Sequence, residues 1–527
     1  MYLAVIDVVT PLAYLAIILW LGVVSARRVE TTDDLFLAGR SMGFGLIGLS
    51  LFASNISSST LIGVAGAAYQ SGISVANYEW MAGLALLFTA VFLVPIYLRN
   101  RFKTVPEYLE VRYSLGCRRY VSAMMIILSI LVDTAGSLYA GALVLRVLVP
   151  ELPFWPTTLL LGLFAGLYTM MGGLRAVMLT DALQSIVLLI GSTVMAVMVF
   201  AQFDYSWSNM ISMMPADHLS LIRSADDPDM PWTGLLVGVP VLGLYYWSMN
   251  HYVTQRFFAA RNEDHARWGA TLAAMLKLLP LFIMVLPGAA AVVLYPGLTR
   301  ADDVFPTLIK ELLPVGLKGL VLAALMSAIM STVDSTVNAA GALVNYDFLP
   351  QPKADRSDQQ QRQYLRRARA VTLFFIALAI AWTPIIQFFP GLFSYLQQIF
   401  SVAVPPVVVI FLSGMFWRGA NRHGAWAALL VGHGLGILFL IERQAGLWPL
   451  HFLETVGFTT ALCLLTLVCV SLYWPVRVER EARVTQAQLF WGSHMLGMEH
   501  PYSLLKDYRA QAVGILCLTA CLVVWLW

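Results

Sequence analysis

Residues 50–66 read SLFASNISSSTLIGVAG. The stretch lies in the middle of an apolar segment long enough to cross a membrane, yet its centre, Ala53 to Thr60, is a run of small and hydroxyl residues. Such a run does not serve lipid contact, because every polar group in hydrocarbon needs a partner. Ser, Asn and Thr also compete with a helix for its backbone hydrogen bonds. The run therefore predicts a helix broken near the middle of the bilayer, with freed carbonyls and hydroxyls turned toward a cavity, as secondary transporters build their ion sites. The alternative is a continuous helix whose hydroxyls bond back to the preceding turn and whose small side chains let a neighbour approach closely.

The rest of the chain agrees with a membrane setting. Hydrophobic residues make up 59% of the 527 and charged residues only 12%, against about 25% charge in soluble proteins, and the mean hydropathy is +0.74. A net charge of +3 and this composition exclude nucleic acid as a partner. Four of the five cysteines, Cys463, Cys469, Cys517 and Cys521, lie in apolar segments, and all five, Cys117 included, lack metal-binding or extracellular pairing patterns. They read as packing residues. The first apolar stretch is followed, not preceded, by Arg27 and Arg28, so it is expected to insert with the N-terminus outside and to stay uncleaved.

At about 20 apolar residues per span the sequence predicts an all-α polytopic protein of about fourteen transmembrane helices. A leading helix covers 6–25, a core covers 43–416, and three peripheral helices occupy 421–527 with a cytoplasmic segment at 475–509. Threading the chain with both termini outside puts 26 of its 33 Lys and Arg on the inner side and five on the outer, the bias of an inner-membrane protein. Residues 349–368 form a polar cytoplasmic linker. The core divides into 43–200 and 232–416, five helices each. An odd number per set makes the second set start on the opposite side of the membrane, as an inverted repeat requires. The first helix of the second set is also expected to break, at Gly243–Tyr252, GLYYWSMNHY.

Charges in mid-membrane are costly, about 2.5–3.5 kcal/mol or more each. Five stand out: Glu79, Asp133, Asp181, Lys277 and Asp334. Lys277 neutralises only one carboxylate, either Glu79 or Asp133 in a structural ion pair. The surplus acid suggests a water-accessible interior that binds cations. At helical spacing Ser331, Asp334 and Ser335 share a face. Hard oxygen ligands without His or Cys suit a small hard cation, and few formal charges favour a monovalent one.

With these residues placed, the chain resembles the solute:sodium symporter family, most closely its sodium/sugar branch. The likeness rests on ASNISSSTLIG, on YEWM at Tyr78–Met81, on GGLRAV and LTDALQ within 172–184, and on YYWSMNHYVTQR at Tyr245–Arg256. It continues through LKLLP at Leu276–Pro280, AALMSAIMSTVDST at Ala323–Thr336, YLQQ at Tyr395–Gln398 and GMFWRG at Gly414–Gly419. The resemblance implies a LeuT-like core of five plus five helices. It implies a sodium site made by the carbonyls of Ala53, Ile56 and Ala328 with the hydroxyls of Ser331 and Thr332. Members with a second sodium use an aspartate matched here by Asp181, beside Ser331, Asp334 and Ser335; an acid at 334 departs from the small or hydroxyl residue usual there. For a sugar, the resemblance implies Glu79, Lys277 and Gln397 as hydroxyl partners and Tyr246 stacked on the ring as an inner gate. Tyr78 and Phe393 would close the outer side. Asp133, Thr60, Ala82 and Gly243 stand where sugar-binding members carry other polar ligands, which implies a different pocket.

The expected function is sodium-coupled import of a sugar or related polyol by alternating access, with one or two Na+ per cycle and no obligate protein partner beyond the lipid. A sugar acid, an amino acid or another small organic solute is the alternative cargo, since Lys277 could pair a carboxylate. An enzyme is not expected, because the sequence shows no metal-ligand pair, nucleophile elbow or nucleotide loop.

Overall fold

A computed structural model of the protein describes residues 4–26, 32–149, 151–349, 358–389, 391–476, 489–497 and 506–526. Arg27 and Arg28, residues 350–357 of the expected linker, and the parts of segment 475–509 at 477–488 and 498–505 lie outside the described residues, while 358–368, expected as linker, belong to a helix. What is described is helical, with two isolated β-bridges, Met42 with Ala260 and Arg223 with Pro231.

A leading helix α1 (Val5–Ala26) precedes the core. The quoted stretch forms two helices, α2 (Phe44–Asn55) and α3 (Ser58–Ser71). Next come α4 (76–99), α5 (115–148) and α6 (Phe154–Ala201). Helix α6 bends back on itself at Gly173, whose φ of +59° belongs to the left-handed region. The second half opens with another broken pair, α7 (Trp232–Leu244) and α8 (His251–Phe258). It continues with α9 (Glu263–Leu294), α10 (Leu317–Phe348), α11 (358–388) and α12 (Leu392–Phe416). Helices α13 (Arg422–Gln444), α14 (Phe452–Tyr473) and α15 (Tyr508–Leu526) flank the core.

Among the described residues, eleven helical segments are long and apolar enough to cross a membrane. This differs from the expected fourteen for a physical reason: length alone does not count spans in this fold. The segment Ser58–Arg99 contains two helices separated at Gly72, where φ is +66°, and α2 and α7 are short because each is interrupted.

Helix α10 is the central post, 94% buried over its apolar window. It packs along α6, with α1 laid against both, and it touches α2, α3 and α8. Arginines then tie one end of the bundle together. Arg99 grips Glu263 through two nitrogens at 2.8 and 3.0 Å, and Arg267 reaches the same carboxylate at 2.5 Å. Arg118 pairs with Asp347 at 2.6 Å. Arg112 donates to the carbonyls of Gly414 and Trp417 at 2.9 and 3.0 Å. This end is the basic face; all of these arginines belong to the excess that the sequence assigns to the inner side.

Candidate functional site

The break between α2 and α3 is made by the polar run itself. Ile56 leaves helical geometry at φ −78°, ψ 71°. Ser57 is extended and caps α3, accepting from the N–H of Thr60 at 3.0 Å. The Thr60 hydroxyl donates to the Asn55 carbonyl at 2.8 Å, and Ser58 donates to the Ser137 carbonyl at 3.0 Å. Hydroxyls thus take over backbone partners that the broken helix gives up. The second break falls at Asn250, inside the expected interval, after a π-helical turn at Tyr245–Met249.

The two breaks open onto a central cavity. Its polar lining comes from Asn55, Ser57, Thr60, Glu79, Asp133 and Gln397; its aromatic lining comes from Tyr78, Tyr245, Tyr246, Trp247, Phe393 and Phe400. Gly243, Ala82 and Thr332 also face it. Tyr78 and Phe393 meet edge to face, ring centroids 5.1 Å apart. Both also line a second hollow on the other side, shared with Gln70, Asp302 and Arg443. They form the partition between cavity and far face. Toward the basic face, the Tyr246 hydroxyl is hydrogen-bonded to that of Tyr252, and its ring lies 6.1 Å from Phe400.

Of the expected substrate-facing residues, Lys277 alone does not line the cavity. It is fully buried behind the wall, its ammonium bonded to Glu79 Oε2 at 2.5 Å and to Asn55 Oδ1, with the Trp247 ring 4.8 Å away. Glu79, not Asp133, therefore takes the single ammonium. Asp133 sits in the π-helical turn Leu128–Thr134. Its Oδ2 is buried and has no hydrogen-bond partner among the described residues.

The residues expected to hold one sodium, Ala53, Ile56, Ala328, Ser331 and Thr332, are all buried where α10 crosses the break. Thr332 donates to the Ala328 carbonyl at 3.0 Å and also faces the cavity. Ser331 turns away to Asp181, donating to Oδ1 at 2.6 Å.

The second expected cation site contains a residue that the sequence offers only as the end of the motif Tyr245–Arg256. Arg256, at the end of α8, is fully buried and reaches Asp181 Oδ2 at 3.0 Å. It also donates to Ser50 at 2.8 Å, to Ser335 at 2.6 Å, to Ser54 and to the Tyr252 carbonyl. Asp181 Oδ2 accepts from Ser50 at 2.5 Å as well. Asp181, Ser331 and Ser335 thus converge as expected, around a guanidinium. Asp334 is buried beside them in sequence, its Oδ1 3.1 Å from the Ser335 N–H, and Tyr14 of α1 lies within electrostatic reach of both Asp181 and Asp334. The one clue to Arg256 in the sequence was its place closing the run NHYVTQR directly after the expected break.

Comparison with known proteins follows the same lines. The profile of the "Sodium:solute symporter family" matches residues 35–432. A sodium/mannose cotransporter of Bos taurus is 34% identical over 83% of this chain and 79% of its own length. A sodium/myo-inositol cotransporter of Sus scrofa is 33% identical over 87% and 74%. A sodium/glucose cotransporter of Oryctolagus cuniculus is 30% identical over 90% and 81%. In structure, a Na+-coupled sialic acid symporter superposes with a TM-score of 0.77, covering 89% of this chain and 98% of that one at 22% identity. A nucleobase-cation-symport-1 transporter gives 0.56 over 88% and 99% at 16%; these two speak to the fold, the inverted-repeat core of LeuT-like transporters. With its apolar helices, broken spans and family profile in agreement, this multi-pass membrane protein belongs to the sodium:solute symporter family.

Proposed function

We propose that the protein imports a sugar or related polyol, driven by sodium entering with it. The observation that carries this reading is the broken helix α2–α3, whose freed backbone and hydroxyls lie against α10 at the wall of a cavity suited to a polyhydroxylated ring. Thr332 belongs to both places. Carboxylate and amide groups suit sugar hydroxyls, and flat aromatic rings suit its apolar faces. The names of the relatives, which specify mannose, myo-inositol and glucose, support a cargo of this class.

In this reading one sodium binds to the carbonyls of Ala53, Ile56 and Ala328 and the hydroxyls of Ser331 and Thr332. Binding there joins α2–α3 to α10 and orders the cavity wall. Substrate enters past Tyr78 and Phe393 and meets Glu79, Asn55 and Gln397. The lysine contributes indirectly: Lys277 holds the Glu79 side chain in position through a contact of 2.5 Å. Release toward the basic face requires Tyr246 and Tyr252 to part. Asp181 already has a built-in cation in Arg256, and Ser331, Ser50 and Ser54 satisfy its remaining lone pairs. A second sodium would have to displace a fully buried guanidinium, so the geometry favours a stoichiometry of one. The basic face is cytoplasmic and both termini lie outside.

The test is uptake into proteoliposomes. An inward sodium gradient is expected to accelerate uptake of at least one labelled sugar or polyol, and potassium in its place to leave only leak. No acceleration for any member of a broad panel would end this reading.

A further inference from the structure

The central cavity holds one carboxyl group more than the nearby ammonium can pair with. Two carboxylates line it, Glu79 and Asp133. The ammonium of Lys277 is spent on Glu79. Arg256 is spent on Asp181, outside the cavity. Asp133 has neither ion pair nor hydrogen bond among the described residues, although it is only 6% exposed. A buried charge without a partner is strongly disfavoured, and a buried polar atom left bare in a binding cavity marks a place where the ligand supplies the partner.

The surroundings specify which partner. Tyr78, Tyr245, Tyr246, Trp247, Phe393 and Phe400 line the same cavity. Tyr245, Tyr246 and Tyr395 lie within electrostatic reach of Asp133. Aromatic faces around a carboxylate are the recognition chemistry of an alkylammonium group: the rings attract the cation through their quadrupoles and the acid neutralises it. The opposite wall, Glu79, Asn55 and Gln397, keeps the hydrogen-bonding character that hydroxyls need.

Resting on the sodium-symport reading above, we infer that the preferred cargo is a protonated amino sugar or aminopolyol, whose ammonium pairs with Asp133 while its hydroxyls meet Glu79, Asn55 and Gln397. Each turnover then carries two positive charges inward, one on sodium and one on the cargo.

The experiment uses the full-length protein in proteoliposomes with an inward sodium gradient. Glucose, mannose and galactose are compared with their 2-amino counterparts, and N-acetylglucosamine serves as the uncharged control. In the wild type the ammonium form is expected to compete for uptake at least tenfold better than both its hydroxyl and its N-acetyl counterpart. The Asp133→Asn variant is expected to lose that preference, read as the ratio of competition by the amino sugar to competition by its neutral counterpart. Equal or better recognition of the neutral sugars by the wild type overturns the inference, and that comparison stands even if the variant does not fold. A variant that keeps the preference overturns it as well. A variant that lowers the Hill coefficient for sodium assigns Asp133 to an ion and overturns it too. Absence of sodium-driven uptake for every sugar, amino or neutral, sinks the symport reading itself and the inference with it.

Discussion

Asp181 and Arg256 face each other at 3.0 Å with neither side chain exposed to solvent. The pair links α6 to the second half of a broken helix, and Ser50 and Ser54 draw the first half of the other broken helix into the same cluster. One ion pair thus holds both interruptions against α6 and α10. Removing a single partner of such a pair strands the other charge and costs about 3–5 kcal/mol. Asp181→Asn is therefore expected to lower the apparent melting temperature in detergent markedly. The double variant with Arg256→Gln should recover much of the loss. An Asp181→Asn protein as stable as the wild type would contradict this.

The sodium count follows from the same pair. With Arg256 as the resident counter-charge, sodium dependence of uptake is expected to show a Hill coefficient near one. At about −100 mV a charge gains roughly 2.3 kcal/mol, and a tenfold gradient adds about 1.4 kcal/mol. One sodium then supports roughly a few hundredfold accumulation of a neutral solute, and two would support roughly 10⁵-fold. Thr332→Ala, which removes one proposed ligand, should raise the sodium concentration for half-maximal uptake about tenfold, the equivalent of about 1.4 kcal/mol. A Hill coefficient near two that drops to one in Asp181→Asn would restore the second site.

Glu79 and Lys277 form a second deeply buried pair in the core, at 2.5 Å. Lys277→Met leaves Glu79 and the Asn55 amide without their donor. Thermal unfolding should show a loss on the order of 3–5 kcal/mol, and the Glu79→Gln, Lys277→Met double variant should be closer to the wild type than the lysine variant alone. Strict additivity of the two single effects would show that the pair is not coupled.

The Tyr78–Phe393 contact closes the cavity toward the far face. An edge-to-face aromatic pair is worth about 0.5–1.5 kcal/mol beyond its buried area. Phe393→Ala should thus raise KM for the cargo roughly 2- to 12-fold and increase sodium leak without cargo. An unchanged KM would remove these residues from the gate.

His451 caps α14: its Nδ1 accepts from the Leu453 N–H, and Glu454 accepts from the His451 N–H at 3.0 Å. Burial, chiefly, and the nearby Arg443 guanidinium push the imidazole down from its ordinary 6.5 to about 4. The folded protein keeps this group neutral, while the unfolded chain protonates it below about 6.5. Its contribution is complete above pH 6.5 and is lost as pH falls from 6.5 toward 4. Asn caps helices well, so His451→Asn should flatten the dependence of melting temperature on pH across that window while keeping α14 intact. A wild-type profile flat from pH 7 to 4.5 would count against the cap.

Much of this was readable in one dimension because hydrocarbon imposes a simple rule on sequence. A spanning segment must be apolar, and a polar run inside it must have a local reason. The run Ala53–Thr60 could only be a break or a packing seam, and Ser57 decides for the break by serving as the cap of α3. Asn250 does the same for α8. The resemblance to the family rests on these stretches together with the further motifs along the chain. The spans read from the sequence separate at Gly72 and Gly173, where the chain turns within stretches that are continuous by length and apolarity alone.

Which charge meets which was decided in three dimensions. Lys277 has two candidate carboxylates in the sequence, and the family resemblance implies Asp181 as a ligand in members with a second sodium. Sequence order cannot choose between acids on different helices, because the choice depends on which face each helix turns inward and how far each side chain reaches. Folding gave Lys277 to Glu79 and Arg256 to Asp181, and it left Asp133 Oδ2 without a hydrogen-bond partner among the described residues. The sequence determined that the helix would break within the membrane, because a polar run in hydrocarbon must find partners for its groups. The tertiary structure decided which acid pairs with which cation, because electrostatic pairing depends on distances that only the packed helices set.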